Sequence, residues 1–377
     1  MIEKFSVSFH KGDIDKLKLK LDLTEFPDEL TNTKTHYRLN YHKGLIEKWK
    51  KFNFKNFESK LNDFDNFYFH FNNNIKVHFI LKKSSTKDSK VLLLIHGWPG
   101  SYLEYGKVIN PLNELGYTVV VPSLIGFGFS SIPTERGYNI EKNAIILNSL
   151  MLELGFKEYY AQAGDWGSYV VRTLGHRYPE NCTAVHINFL MPNNLNKIIR
   201  NNKSKKHLLS NLSDLDKIGL SKLDNFAKKG RAYFKIQAEK PERLSFALSD
   251  SPSGLIGWIG DTTMGASRFR VTEDDLIENA TLYWLTRTIA SSIRLYSEER
   301  YVQYPEPGFV KVPSGITIFP DEMAYIPLSW AKEYLNVVSY SYAKKGGHFP
   351  QLEYPEIYIA EIHNFFSKFG GKPASKI

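Results

Sequence analysis

Short apolar runs alternate with helical patterns through the middle of this chain, and this alternation limits the folds that it can adopt. The apolar runs that predict strands are Val91–Ile95, Thr118–Pro122, Tyr159–Ala163 and Ala184–Phe189. The helical patterns between them are Ser101–Leu115, Ile140–Leu154 and Gly167–Tyr178. Strands that are apolar along their whole length and alternate with helices are typical of a parallel sheet covered on both faces. The sequence therefore predicts an α/β fold with a mostly parallel, doubly wound sheet.

The chain divides into segments where this pattern changes. Strand patterns stop after Pro192, polar helical segments continue to Glu299, and strands return at Gly315–Phe319 and Val337–Tyr342. This predicts a helical insertion that interrupts the sheet. The lysine-rich, aromatic N-terminal region has a helical pattern at Leu45–Phe57 and a hairpin pattern at Asn66–Leu81. The expected segments are an N-terminal extension at 1–85, core at 86–191 and 306–377, and a helical lid at 192–305.

Asp165 occupies a position that commonly holds a nucleophile. It follows the strand run Tyr159–Ala163, with the small residue Ala163 two positions before it and Gly167 two positions after it. This is the spacing of a nucleophile elbow, a strained turn that only small neighbours permit. A carboxylate at this point can attack an alkyl carbon and form an ester. Asp165 thus indicates cleavage of a carbon–oxygen or carbon–halogen bond, although Asp-containing glycine turns are common and one motif alone is weak.

Three other segments complete a catalytic arrangement, and their order along the chain supports it. His96–Ser101 (HGWPGS) follows a strand at the point where a loop supplies an oxyanion-hole N–H, which we assign to Trp98, with Trp166 supplying the second. His348 lies in a glycine-rich loop downstream of the nucleophile and of an acid, as a general base would. The acid follows the strand Gly315–Phe319, where residue patterns alone do not separate Asp321 from Glu322.

Together these motifs resemble the epoxide hydrolases of the microsomal and juvenile-hormone type, which are α/β-hydrolases with an N-terminal extension and a helical lid. The resembling motifs are HGWPGS (His96–Ser101), GDWGS (Gly164–Ser168), DSPSGL (Asp250–Leu255), FPDE (Phe319–Glu322) and GGHF (Gly346–Phe349). In that family the fourth residue of the Phe-Pro motif is the acid, so the resemblance selects Glu322. It also implies two lid tyrosines that donate to the epoxide oxygen, at Tyr233 and Tyr296.

The resemblance implies a reaction that needs no metal or organic cofactor. An apolar epoxide would form an ester with Asp165, and His348, oriented by Glu322, would activate the water that releases a vicinal diol. A haloalkane or haloacid dehalogenase is the nearest alternative, because it also uses an aspartate elbow but has no need for Tyr233 and Tyr296. A non-catalytic binding protein on the same fold is a less favoured alternative.

Composition favours a small-molecule enzyme over a nucleic-acid-binding protein. The formal charge is +9, but its densest basic run, Lys197–His207, has no accompanying nucleic-acid motif and is interpreted as a solvated face. Cys182 is the only cysteine, so no intramolecular disulfide is available. The N-terminus has no apolar stretch that would serve as a signal peptide or membrane anchor, so a cytoplasmic location is expected, with peripheral membrane association left open. The resemblance is also compatible with a homodimer.

Overall fold

The computed structural model describes residues 1–28, 37–72, 74–86, 89–191, 212–301 and 308–370 of the chain. The basic run at 197–207 and the predicted segment boundaries at 192 and 305 lie outside the described residues. Within those ranges, none of the helices is both long and apolar enough to cross a lipid bilayer.

In the described part of the chain, one nine-stranded sheet forms the centre, in the order β1-β2-β3-β5-β4-β6-β7-β8-β9. The strands are β1 (Ile2–Phe5), β2 (Asn66–His70), β3 (Lys76–Lys82), β4 (Lys90–Ile95), β5 (Tyr117–Pro122), β6 (Tyr159–Ala163), β7 (Cys182–Ile187), β8 (Val310–Ile318) and β9 (Leu335–Tyr342). Pairing is antiparallel from β1 to β3 and between β3 and β5, and it is parallel from β5 through β4 to β9. The predicted α/β fold with a mostly parallel sheet is confirmed.

The helices cover both faces of this sheet. They are α1 (Lys11–Asp22), α2 (Leu39–Lys50), α3 (Phe54–Asn62), α4 (Ile109–Glu114), α5 (Ile140–Glu153), α6 (Asp165–Arg177), α7 (Asp214–Asn225), α8 (Ala232–Glu239), α9 (Pro241–Asp250), α10 (Pro252–Ala266), α11 (Glu273–Leu285), α12 (Ile289–Tyr301), α13 (Leu328–Ala331), α14 (Pro350–Glu353) and α15 (Pro355–Phe366). Side chains of β4 alternate between two cores, with Leu93 and Ile95 in one and Leu92 and Leu94 in the other. This two-sided burial explains why the central strands are apolar throughout.

Two of the predicted helices were wrong, because a helix-capping side chain divides one and a proline shortens the other. The pattern at Leu45–Phe57 is divided between α2 and α3, since the Asn53 side chain accepts a hydrogen bond from Asn56 N (3.0 Å) and starts a new helix. The pattern at Ser101–Leu115 forms a short 3₁₀ turn, Tyr102–Tyr105, followed by α4. Pro111 has no N–H to donate and is tolerated only in a helix's first turn, so α4 begins at Ile109.

The helices α7–α12, which we call the helical insertion, pack against the loop that follows β4. The Tyr283 hydroxyl donates to Gly100 O (2.8 Å), and Asn279 Nδ2 donates to Pro99 O (2.7 Å). Because that loop leaves the carboxyl end of a central strand, these contacts place the helical insertion at the edge of the sheet where ligands of open α/β sheets bind.

The N-terminal helices join the helical insertion through a buried hydrogen bond. Trp49 of α2 is fully buried, and its indole Nε1 donates to Thr281 Oγ1 of α11 at 2.8 Å. At the surface, Lys20 Nζ of α1 lies 2.6 Å from Asp250 Oδ1 of α9. The buried hydrogen bond contributes more to this junction than the surface ion pair does, because exposed ion pairs contribute little.

We predict that Trp49→Phe and Thr281→Val each lower the free energy of unfolding by about 1–3 kcal/mol, because each leaves one buried polar group without its partner. The double variant removes both groups and should cost less than the sum of the two single changes. Chemical denaturation of the four proteins measures this coupling. Strictly additive losses would show that the hydrogen bond does not hold the two segments together.

Candidate active site

Asp165 is the first residue of α6, directly after β6, and its backbone is in the left-handed region with φ 41°. This conformation is unusual for a residue other than glycine and is typical of strained functional turns. The turn also requires close packing, because a Cβ added at Gly167 would lie 2.4 Å from Ile95 O. The predicted elbow geometry is therefore present, and it projects the Asp165 carboxylate from the edge of the sheet.

The loop after β4 contacts one oxygen of this carboxylate. The Trp98 backbone N–H donates to Asp165 Oδ1 at 2.8 Å. A Cβ added at Gly97 would lie 2.3 Å from the same oxygen, so only glycine allows this approach. Trp166 follows Asp165 in the first turn of α6, where backbone N–H groups have no intrahelical acceptor. The arrangement leaves Asp165 Oδ2 as the oxygen available for chemistry.

His348 lies between two carboxylates. Its Nε2 is 3.3 Å from Asp165 Oδ2, and its Nδ1 is 2.9 Å and 3.0 Å from the two oxygens of Glu322. Glu322 is fully buried and also accepts a hydrogen bond from Met323 N (2.7 Å). Phe189 and Phe349 contact the imidazole edge-on. These contacts fix the ring plane and favour a proton on Nδ1, with Nε2 facing Asp165.

The structure separates the two candidate acids. Asp321 faces away from His348 and binds two arginines, with Arg268 Nη1 at 2.9 Å from Oδ1 and Arg270 on Oδ2. Glu322 is the residue whose carboxylate reaches His348. These adjacent residues thus have different partners. The difference depends on the direction of their side chains, which residue patterns alone do not predict.

The pKa of His348 results from opposing effects. Burial lowers this pKa, but the negative charges and hydrogen bonds of Glu322 and Asp165 outweigh burial and raise it well above 6.5. These contacts therefore favour the protonated form of the imidazole. If Asp165 lost its charge, one of the two contributions that raise the pKa would disappear.

Tyr233 of α8 and Tyr296 of α12 belong to the helical insertion, and their rings contact the two tryptophans of the site. The Tyr233 ring stacks on Trp98, with centroids 5.6 Å apart at 16°, and the Tyr296 ring contacts Trp166 edge-on at 4.9 Å. Phe234 packs against Tyr296 at 5.1 Å. Burial, followed by the Asp165 charge, raises the pKa of Tyr233, and burial, Tyr233 and Asp165 raise that of Tyr296. Both hydroxyls therefore keep their protons and can act as hydrogen-bond donors.

The structure brings together all seven residues expected at the site and adds residues that the sequence analysis missed. Phe234 was missed because aromatic residues are frequent in this chain, so its type carries little information. Glu104, five residues beyond Pro99, was missed although its charge within an otherwise apolar, buried segment is an available signal. Among the described residues, no group of three or more His, Cys, Asp or Glu side chains is arranged to hold a metal ion.

Family models and relatives agree with the fold described above. Residues 2–105 match the family described as "Epoxide hydrolase N terminus", and residues 90–205 match the "alpha/beta hydrolase fold" family. Epoxide hydrolase 1 of Oryctolagus cuniculus is 32% identical over an alignment covering 97% of this chain and 88% of the relative. Juvenile hormone epoxide hydrolase 2 of Ctenocephalides felis is 29% identical, with 97% and 85% covered.

Solved structures extend this agreement to three dimensions. The Aspergillus niger epoxide hydrolase aligns with a TM-score of 0.86 and 28% identity, covering 98% of this chain and 96% of that one. Juvenile hormone epoxide hydrolase from Bombyx mori aligns with a TM-score of 0.89 and 25% identity, covering 98% and 94%. Fold and site thus define a hydrolase of the α/β-hydrolase fold. Within that class, the chain belongs to the epoxide hydrolase family.

We predict that Glu322→Gln lowers the pKa of His348, because it removes the charge that most strongly raises it. The imidazolium signal would then disappear at lower pH when the protein is titrated, as measured by NMR of labelled histidine rings. Asp321→Asn is the matched control: the neighbouring carboxylate binds Arg268 and Arg270, so its loss should move this pKa little. Equal shifts in both variants would contradict a specific contribution from Glu322.

Proposed function

We propose that this chain hydrolyses an uncharged, apolar epoxide to a vicinal diol through a covalent ester on Asp165. The observation that carries the proposal is the continuous contact from Glu322 through His348 to Asp165 Oδ2, with two protonated tyrosines packed on the tryptophans beside it. The relatives named epoxide hydrolases support the same reaction. On this basis residues 192–305 act as the lid, residues 1–85 as the N-terminal extension, and 86–191 with 306–377 as the catalytic core.

The first step opens the ring. Asp165 Oδ2 attacks a ring carbon from behind, the carbon–oxygen bond of the epoxide breaks, and Oδ2 becomes the alkyl oxygen of an ester. The released epoxide oxygen takes a proton from Tyr233 or Tyr296. Hydrogen bonds to an oxygen where negative charge develops are stronger in the transition state than in the ground state, so they accelerate this step.

The second step hydrolyses the ester. Alkylation removes the charge of Asp165 and with it part of what raises the pKa of His348, so the imidazolium passes its proton to the tyrosinate and becomes available as a base. His348 takes a proton from water, and the resulting hydroxide attacks Cγ. The backbone N–H groups of Trp98 and Trp166 stabilise the charge on Oδ1. The bond between Cγ and Oδ2 breaks, the diol takes the proton from His348, and the carboxyl proton of Asp165 then passes to His348, which restores the resting site.

Halide release is the alternative reaction that one observation favours. Trp98 Nε1 is buried and has no hydrogen-bond partner among the described residues. Its N–H is therefore a donor that could bind an anion such as a halide. A dehalogenase would nevertheless have no use for Tyr233 and Tyr296 as proton donors. Assays of diol formation from styrene, fatty-acid and terpenoid epoxides, and of halide release from haloalkanes, separate the two reactions. Halide release without diol formation would overturn the proposal.

We predict that His348→Gln still opens the epoxide but hydrolyses the ester about 10²- to 10⁴-fold more slowly, because it lacks the general base. The ester should accumulate on the peptide that contains Asp165, as detected by mass spectrometry under single-turnover conditions. In the unmodified enzyme, a single turnover in water labelled with heavy oxygen should place the label in Asp165, since the diol leaves with Oδ2. Asp165→Ala is the control and should form neither ester nor diol. Label found only in the diol would overturn the covalent route.

We also predict that Tyr233→Phe combined with Tyr296→Phe slows ring opening by roughly two to three orders of magnitude, because both proton donors are lost while the aromatic packing is kept. Ester formation in the His348→Gln background measures this step in isolation. Phe234→Leu, which changes the neighbouring packing but removes no donor, serves as the control. An unchanged rate in the double variant would remove the tyrosines from the mechanism.

A further inference from the structure

Glu104 is a buried carboxyl group that the proposed reaction has not used. It lies in the 3₁₀ turn Tyr102–Tyr105 and is 6% exposed. Its Oε1 accepts a hydrogen bond from Gln351 Nε2 at 2.8 Å. Its Oε2 is buried and has no hydrogen-bond partner among the described residues. A buried carboxyl oxygen without a partner is costly, so its presence calls for a ligand or a function.

This carboxyl group lies close to both halves of the catalytic pair. A Cβ added at Gly100 would lie 2.0 Å from Glu104 Oε2 and 3.4 Å from Gly97 O, and Gly97 is the residue pressed against Asp165. On the other side, Gln351 lies three residues after His348. Glu104 is therefore attached to the loop that binds Asp165 and to the segment that carries His348.

A small cavity adjoins Glu104. It has a volume of about 30 Å³, and its lining includes Gly100, Glu104, Thr263 of α10, Asn279 of α11 and Phe349. Thr263 Oγ1 is a second buried atom with no hydrogen-bond partner among the described residues. A cavity of this size accommodates one or two water molecules, and two unpartnered polar atoms in its lining are what a bound water requires.

The environment of Glu104 favours its neutral form. Burial, followed by the charge of Asp165, raises the pKa of Glu104 well above 4.5, and the proximity of His348 and the hydrogen bond from Gln351 offset only part of this. A protonated carboxyl offers a donor as well as an acceptor. With Oε1 occupied by Gln351, the donor is Oε2–H, which can bind the oxygen of a water without competing for the proton that His348 removes.

We propose that Glu104 and Thr263 bind the hydrolytic water in this cavity, behind the Pro99–Ser101 loop, and present it to His348 and to the ester on Asp165. The inference rests on the proposed covalent route, in which water enters only after alkylation. An apolar substrate beneath the tyrosines displaces water from that side, so a separate polar cavity supplies the second reactant. His348 takes the proton, the water oxygen bonds to Cγ, and Glu104 acts as a positioning residue.

The test follows ester formation and ester decay separately, by rapid quench and mass spectrometry of the Asp165 peptide. Glu104→Leu should form the ester at close to the unmodified rate. It should hydrolyse the ester roughly 10- to 100-fold more slowly, because the reacting water loses one hydrogen bond. Glu104→Gln keeps a donor and an acceptor of similar shape, so it should restore most of the decay rate. Thr263→Val, which changes the opposite wall, should slow decay severalfold without slowing ester formation.

Unchanged ester decay in Glu104→Leu and Thr263→Val would overturn the water site and leave the covalent route intact. Equal losses in ester formation and decay would mean that Glu104 only supports the fold, and would also overturn it. If Glu104→Leu does not fold, Thr263→Val decides the question, and an unaltered rate of ester decay in that variant would reject the proposal. Absence of any ester in His348→Gln would instead overturn the proposed function itself, and the water site with it.

Discussion

The close approach of the loop after β4 to Asp165 is the contact on which the rest of the site depends. Trp98 N–H reaches Asp165 Oδ1 only because Gly97 has no side chain, and Asp165 points toward that loop only because its backbone adopts φ 41°. Both conditions depend on parallel strands β4 and β6 lying side by side, since their carboxyl ends deliver the two loops to one point. The sheet thus holds the strained turn in place and determines which carboxylate oxygen stays free.

The charges around His348 affect how Asp165 Oδ2 and the imidazole can react. The two carboxylates beside the buried imidazole raise its pKa and favour its protonated form. In the proposed reaction, conversion of Asp165 into a neutral ester would remove one of those carboxylates and return the imidazole toward a basic form. Glu322 contacts His348 Nδ1 and accepts a hydrogen bond from Met323 N, independently of Asp165. The same two contacts can therefore support a nucleophile first and a general base afterwards.

The sequence predicted the parts of the structure that depend on local patterns or on the order of the chain. The strand β6 was predicted at its observed bounds, and Asp165, Glu322 and His348 follow one another along the sheet as expected. Details that depend on side-chain direction or on distant neighbours were not predictable from residue patterns. The division of Leu45–Phe57 into two helices depends on a single Asn53 cap, and the separation of Asp321 from Glu322 depends on which one faces the arginines. The tyrosines were placed by family resemblance, since stacking on Trp98 cannot be deduced from spacing.

The N-terminal helices are connected to the site through their contacts with the helical insertion. Tyr233 and Tyr296 lie on α8 and α12, so their hydrogen-bonding positions are only as well defined as the packing of those helices. The first three helices contact the insertion through the Trp49–Thr281 hydrogen bond, the Lys20–Asp250 ion pair and a hydrogen bond between His42 Nε2 and Ser253 Oγ (2.8 Å). α11, which carries Thr281, also carries Asn279 and Tyr283, and these bind Pro99 O and Gly100 O in the loop that contacts Asp165. A continuous series of contacts therefore joins the N-terminal helices to the loop after β4 and, through Trp98 of that loop, to the ring of Tyr233.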